Sequence, residues 1–387
     1  MDNLTHSLIG LAAAKAGLEK LSPGATTLCV LAANAPDADV VTLIFGRWVF
    51  LHHHRGITHS IVGTFALAIA LPLVFYLGER IIVRVRKRES QVRLKGLLLA
   101  SILATATHPL MDWTNNYGVR PLLPWNPKWF YGDFVFIIDP FLWIVLGGSA
   151  FLLTSKTRKQ IIVWVVIALV PSYLVLVGPA GPSRLVYEFA LRLIWIVALI
   201  VLVTLYRRKF GGRRGERIAI AALLTATIYL GGLAAAHAVA LHEAKAQANN
   251  LAASNAERVI QVAAMPTVAN PTQWVCVMET DRATYKFKLS LFARTADESR
   301  AVAESNVIRY EKPAGATAEA MSEAERDARA KIFLDFARFP VVSVAGEDCI
   351  TQTLVQFADL RYTEPGKASG TFSLDVPVDC PVPKAGR

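Results

Sequence analysis

The chain has 387 residues, 53% of them hydrophobic and only 18% charged, which excludes an ordinary soluble protein of this length and points to a membrane protein. Its net charge of +11 is uneven: residues 1–241 carry 24 Lys/Arg against 11 Asp/Glu, and residues 242–387 carry 17 against 19. The basic excess thus belongs to membrane loops and implies no nucleic-acid partner. None of the four cysteines has CxxC spacing, which argues against a thiolate zinc site.

No basic region precedes the first apolar stretch, and Lys15, Glu19 and Lys20 interrupt it, so a cleavable signal peptide is not expected. Residues 6–18 and 24–35 are short apolar segments joined by Ser22-Pro23-Gly24. Each falls short of the roughly 20 residues that cross a bilayer upright, which leaves a packed helical hairpin or a re-entrant pair. Longer apolar runs follow at Ile61–Leu77, Leu97–Met111, Phe134–Leu153, Ile161–Val177, Leu185–Tyr206 and Ile218–Leu241. Basic loops at Arg80–Lys95, Lys156–Lys159 and Arg207–Arg217 fall on alternate connections. The positive-inside rule therefore assigns all three to the cytoplasm and the remaining connections to the outer side. Trp113, Trp125, Trp129 and Trp143 read as an interfacial aromatic belt.

After Leu241 the composition becomes that of a globular protein. The expected organisation is a helical membrane domain over 1–241, a helical alanine-rich linker over 242–264 and a soluble α+β domain over 265–387 on the outer, periplasmic side. Within the last, strands are expected at Gln273–Met278, Tyr285–Phe292, near Val341, at Gln352–Phe357 and at Thr371–Val376, with a helix from Thr317 to Phe339 stopped by Pro340. The fold class is mainly α, a polytopic helical membrane domain with an appended C-terminal α+β domain.

Polar residues inside so apolar a chain carry the functional signal. His52-His53-His54-Arg55-Gly56-Ile57-Thr58-His59-Ser60 holds four histidines and an arginine after the turn Asn34-Ala35-Pro36-Asp37-Ala38-Asp39. Taken alone this is equally well a wet polar loop between helices. A second cluster changes the balance: His108 and Asp112 stand at i and i+4, one turn apart on one helix face. On the assigned topology both clusters, His6 and the start of the Asp139 helix reach the same outer face. Imidazole and carboxylate ligands suit zinc, manganese or iron, and an open coordination position would acidify a bound water. Asp37 or Asp39 is then the expected proton acceptor, Arg55 the phosphate fork and His54 a substrate contact rather than a ligand. Asp139 is a weaker candidate that equally reads as a helix-start acid. His237, His242 and Glu243 read as solvated. Arg192, inside an apolar run, has no role in this reading.

Thr5-His6-Ser7, Asn34-x-Pro36-Asp37-x-Asp39, His54-Arg55-Gly56-x-Thr58-His59-Ser60 and His108-Pro109-x-x-Asp112-Trp113 together resemble the bacterial inner-membrane metal-dependent hydrolases of the YdjM/YbcI type, over roughly residues 1–180. That family is usually grouped with the zinc phospholipase C and P1 nuclease fold. The resemblance implies that Asp37, His59, His108 and Asp112 surround one metal and that Asp112 bridges to a second near His6. The chain departs from the zinc phospholipases in lacking a further histidine and a HxxxE pair after Asp112, and Met1-Asp2 is not an evident processing product. One or two divalent ions are therefore expected, zinc first. The resulting expectation is a phosphoesterase at the outer face of the bacterial inner membrane, with a lipid headgroup among its substrates. The rival is a metal-binding transporter or a non-catalytic membrane scaffold. Candidates gathered at one face, rather than at the bilayer midplane, favour hydrolysis.

Overall fold

The computed structural model describes the chain except for residues 179–184, 213, 292–306, 346–351, 368–369 and 380–387. It divides into two compact units. Met1–Ala38, Arg55–Ala235 and Val268–Asn270 form the first; Asp39–His54, Ala236–Thr267 and Pro271–Arg387 form the second. The expected division at Leu241 differs from this chiefly in Asp39–His54, which groups with the C-terminal residues.

In the first unit, α1 (Asn3–Lys15) and α2 (Ala25–Asn34) make a hairpin. Their backbones come close enough at Gly10 that a Cβ there would stand 2.6 Å from the Cys29 carbonyl oxygen. Small residues at such crossings replace the hydrophobic drive that lipid cannot supply. The chain continues beyond α2 in 3-10 turns over Ala35–Phe45. Ala25–Phe45 is thus 21 residues long and apolar enough to cross a membrane, whereas α1 has only 13. After α3 (Arg47–His53) come α4 (Ile61–Val85) and α5 (Leu94–Trp113), both of spanning length.

The expected helix at Phe134–Leu153 is shorter than its apolar run. The Asp139 carboxylate caps it and Pro140 opens its first turn, while Phe134 and Val135 instead donate their N–H groups to the Thr114 carbonyl. A single turn, α6 (Pro140–Leu142), leads through a π-helical step at Trp143–Gly147 into α7 (Gly148–Thr154). Trp143 is buried with its indole N–H on Asp2, so it belongs to the core and not to an interfacial belt. Next are α8 (Arg158–Leu176), α9 (Leu185–Arg207) and α10 (Gly215–Ser254). Arg192 on α9 donates to the Gly178 carbonyl beyond the end of α8, at 3.3 Å, which gives that intramembrane cation a partner. In all, six helices among the described residues are long and apolar enough to cross a membrane. The chain is a multi-pass membrane protein.

The basic connections share one face. Arg93 donates to the Lys20 carbonyl at 2.8 Å, Lys20 pairs with Glu216, and one basin is lined by Lys15, Lys20, Lys156, Arg207, Lys209 and Glu216.

The second unit contains an antiparallel sheet β1 (Val259–Thr267), β2 (Asn270–Thr280), β3 (Ala283–Ser290), β4 (Ile308–Glu311), and a second sheet β5 (Pro340–Ala345), β6 (Gln352–Asp359), β7 (Ser373–Asp379). The expected alanine-rich linker is no linker. Ala240, Ala244 and Ala248, four residues apart on α10, are fully buried against Trp274, Cys276, Met278, Tyr285 and Phe287 of the first sheet. The i, i+4 alanines make one smooth face on which the aromatic strand residues pack. Residues 259–262, expected as helix, already belong to β1. The expected helix Thr317–Phe339 is two, α11 (Ala316–Ala324) and α12 (Ala328–Phe336), because Asp327 turns outward to cap the second. Their faces, with Phe333 and Ala330, close over Phe357, Leu374 and Val376 of the second sheet. Cys276 is a buried free thiol; Cys349 and Cys380, with any disulfide between them, lie outside the described residues.

Candidate metal centre

Four side chains from three stretches converge inside the first unit. Asp37 leaves the 3-10 turn after α2, His59 ends the short 3-10 turn Ile57–His59 before α4, and His108 and Asp112 share one face of α5. His59, His108 and Asp112 are at most 1% exposed, Asp37 13%. His59 Nε2 stands 3.3 Å from both Asp37 Oδ1 and Asp112 Oδ2. His108 Nε2 stands 3.4 Å from each of the same oxygens. The two Nε2 atoms are 3.1 Å apart.

The orientation of His108 is fixed from behind. Its Nδ1 lies 2.7 Å from the Ala33 carbonyl oxygen, an acceptor, so Nδ1 carries a proton and Nε2 is turned toward the cluster. His59 Nδ1 lies 3.0 Å from the Thr58 hydroxyl. Asp112 Oδ2 is buried with no hydrogen-bond partner among the described residues.

Four lone-pair-bearing atoms therefore face one point. Ligands placed about 2.0–2.1 Å from a tetrahedral centre stand roughly 3.3–3.4 Å from each other. Five of the six separations here run from 3.1 to 3.4 Å. The donor set and its spacing fit a divalent ion, and the cluster is one that could hold a metal.

The other oxygen of Asp112 faces a different set. Oδ1 accepts from the Met1 amine and from Arg55 Nη2 at 3.0 Å, and lies 3.3 Å from His6 Nε2. The His6 ring stacks on His108 with centroids 3.7 Å apart, and neither of its nitrogens has a hydrogen-bond partner among the described residues. Burial pushes the His6 imidazole down to about 3, against the pull of Asp112, which keeps its ring neutral. Burial likewise lowers the Met1 amine, opposed by the Asp112 carboxylate.

Arg55 is brought to the cluster in a role the sequence did not suggest. A left-handed backbone (φ 53°) turns its side chain inward, leaving it 2% exposed. The guanidinium donates to Asp112 Oδ1, the Asp112 carbonyl, Asn115 Oδ1 at 2.9 Å and the Gly118 carbonyl, and lies over the Tyr117 ring. Its fork holds Asp112 in place and is not open to an incoming phosphate. Nothing in the residue pattern marks Tyr117 for this contact, and the signal for Asn115 is only the pair Asn115-Asn116 directly after the Asp112 turn.

The remaining candidates have other partners or are exposed. Asp39 Oδ1 and His54 Nδ1 pair at 3.0 Å within the second unit. Asp139 accepts from the N–H groups of Phe141 and Leu142 and from the Tyr229 hydroxyl at 2.9 Å, the pattern of a helix cap; burial raises its carboxyl. His242 and Glu243 are exposed, while His237 rests against the Trp274 ring.

Comparison with known proteins fits the stretch that carries the centre. Residues 1–181 match the family described as YdjM inner membrane protein. Over 154 residues the chain is 29% identical to the uncharacterized protein YfhP of Bacillus subtilis (strain 168), an alignment that covers 37% of this chain and 43% of that protein. The chain thus spans less than half the length of the curated relative it matches. No solved structure matches.

Proposed function

We propose that the N-terminal region is a YdjM-type metal-dependent hydrolase of the bacterial inner membrane, acting on a phosphoester at the outer face. The observation that carries the reading is the convergence of Asp37, His59, His108 and Asp112, with both imidazoles 3.1–3.4 Å from each other and from each carboxylate. Two carboxylates and two imidazoles buried at such range are stable together only around positive charge, either a bound cation or a proton on one of the rings.

Zinc is the first choice for a set of two imidazoles and two carboxylates; Asp112 Oδ1, beside His6, is already taken by Met1 and Arg55, so one ion is proposed. A bound ion would supply Lewis acidity and an acidified water. The protein's own residues do the rest. Ala33 and Thr58 set the imidazole orientations, and Arg55 fixes the Asp112 carboxylate. Asp37, the most exposed of the four, is the group that a substrate and its attacking water can approach. Its carboxylate is the proton acceptor of this proposal.

The outer-face assignment rests on the three basic connections sharing the opposite end of the helices. The test is elemental analysis of detergent-purified protein alongside hydrolysis of a generic phosphodiester. Stoichiometric metal together with metal-dependent turnover is expected. Bound metal without turnover on any ester would favour the binding or transport reading, and absence of metal would end both.

A further inference from the structure

Beside the metal centre, the outer surfaces of α4 and α5 enclose an apolar groove of about 500 Å³, within the range of small-molecule sites. Thr64 and Ala68 of α4 lie deep in it, at 8% and 2% exposed, while Phe65 and Leu110 stand out at its edges at 58% and 63%. Among the lining residues only His59, Thr64 and Trp113 carry a polar side-chain atom, and none carries a full fixed charge. One end of the groove is His59 itself.

We propose that this groove seats one acyl chain of a bilayer phospholipid, with the phosphorylated headgroup delivered to the Asp37–His59–His108–Asp112 centre from within the membrane. The inference rests on the phosphoester reading above and adds the substrate class and its route.

Three observations select this occupant. Its long walls are two helices long and apolar enough to cross a membrane, with Val119, Pro121 and Phe130 closing the end where α4 begins, so hydrocarbon and not water lies along the groove, and a channel with almost no polar lining gives water nothing to bond. The lining of α5 runs from Ile102 to Trp113, a rise of about 16 Å, which matches one leaflet of a hydrocarbon core roughly 30 Å thick. The end of that run is the end at which α4 begins and α5 stops, where His59 and Asp112 stand. A chain lying along the groove therefore has its head beside the centre. A water-soluble phosphoester would make no use of this lining.

Ala106 lines the groove without touching the centre, so Ala106→Trp fills it, Ala106→Leu fills it partly, and Leu103→Trp, on the lipid-facing surface of α5 but outside the lining, serves as control. The protein and these variants are placed in vesicles containing a phosphatidylglycerol with a diazirine near the end of one acyl chain. After irradiation, labelled peptides are quantified by mass spectrometry, with metal content measured on the same samples. Labelling concentrated on Phe65, Ile102 and Leu110 is expected, reduced at least several-fold by Ala106→Trp, less by Ala106→Leu and not by Leu103→Trp, with metal content equal throughout. Labelling spread evenly over the lipid-facing helices, or unchanged by Ala106→Trp, overturns the proposal. Hydrolysis separates it from the reading on which it rests. Ala106→Trp should lose turnover of long-chain phospholipid while retaining that of a water-soluble phosphodiester, and equal effects on both count against the groove. A wild type that hydrolyses neither ester defeats the hydrolase reading, and the labelling still decides whether a lipid chain lies in the groove.

Discussion

The Nε2 atoms of His59 and His108 stand 3.1 Å apart, and the proton that would relieve them is placed on the far side of the His108 ring, where Nδ1 donates to the Ala33 carbonyl. With Asp37 and Asp112 each within 3.4 Å of both rings, the cluster has two stable states. Either a cation sits between the four, or an imidazolium is held by two carboxylates. The two differ in what a variant loses.

If the cation reading holds, His59→Ala, His108→Ala and Asp112→Ala each remove a ligand and should each abolish most bound metal and hydrolysis. Pairs of these changes should cost little more than one, because a centre without its ion has no metal-activated water left to lose. His52→Ala should retain both. Full metal occupancy in the three ligand variants is the outcome that contradicts the centre.

Arg55 provides the second prediction. Its fork engages Asp112, Asn115 and Gly118 at once, which a lysine ammonium cannot reproduce. Arg55→Lys should lower metal affinity by about 10–100-fold, the usual consequence of losing a group that orients a ligand, as read by competition with a chelator. Asn115→Ala should act in the same direction and more weakly. Unchanged metal affinity with a raised KM for a phosphodiester would instead make Arg55 a substrate contact.

The legible part of the centre was its chemistry and the illegible part its geometry. His59, His108, Asp37 and Asp112 stood out because ionisable residues are rare in apolar segments, and the i, i+4 spacing of His108 and Asp112 needed only the helix. Arg55 turns inward through a left-handed backbone that no periodicity signals. Asp139 carries the same residue type as Asp37, but three bonds from Phe141, Leu142 and Tyr229 make it a cap. Apolar runs located the long helices well. They misjudged Phe134–Leu153, where backbone N–H groups turn to Thr114, and α10, where alanine packing against a sheet reads in sequence like a linker. The strands β1 and β4 carry no clear alternation in the sequence.

Topology yields a third prediction. In a background with Cys349 and Cys380 replaced by serine, single cysteines at Trp125 and Lys288 should react with an impermeant reagent from the periplasmic side. A cysteine at Lys209, in the basic basin, should react only after permeabilisation. The reverse pattern would turn the metal centre toward the cytoplasm.

The alanine face of α10 makes the boundary of the C-terminal unit testable. A fragment of residues 236–387 should be soluble and unfold cooperatively, since it keeps Ala240, Ala244 and Ala248 over Trp274, Tyr285 and Phe287. A fragment of 255–387 exposes that aromatic face and should aggregate. Equal solubility and equal thermal midpoints of the two would show that the helix contributes nothing to the core.

The last prediction alters no ligand. Gly63 lies in the first turn of α4, where an added Cβ would overlap the Ile57 carbonyl oxygen. That oxygen accepts from both the backbone N–H and the hydroxyl of Ser60, and the Ser60 hydroxyl in turn accepts from the Gly63 N–H. The overlapped atom is backbone and cannot swing aside, so Gly63→Ala must push the turn Ile57–His59 away from α4, carrying the His59 imidazole with it. Overpacking of this kind costs about 1–3 kcal/mol, but separations of 3.3 Å to two carboxylates leave little room for displacement of the ligand itself. Gly63→Ala should therefore lose metal out of proportion to its stability. Ser60→Ala, which removes the cap at a cost of about 1 kcal/mol without adding volume, should keep its metal. Metal content and thermal midpoint measured together on both variants distinguish the two effects. If Gly63→Ala loses no more metal than Ser60→Ala at matched stability, the turn does not govern the position of His59.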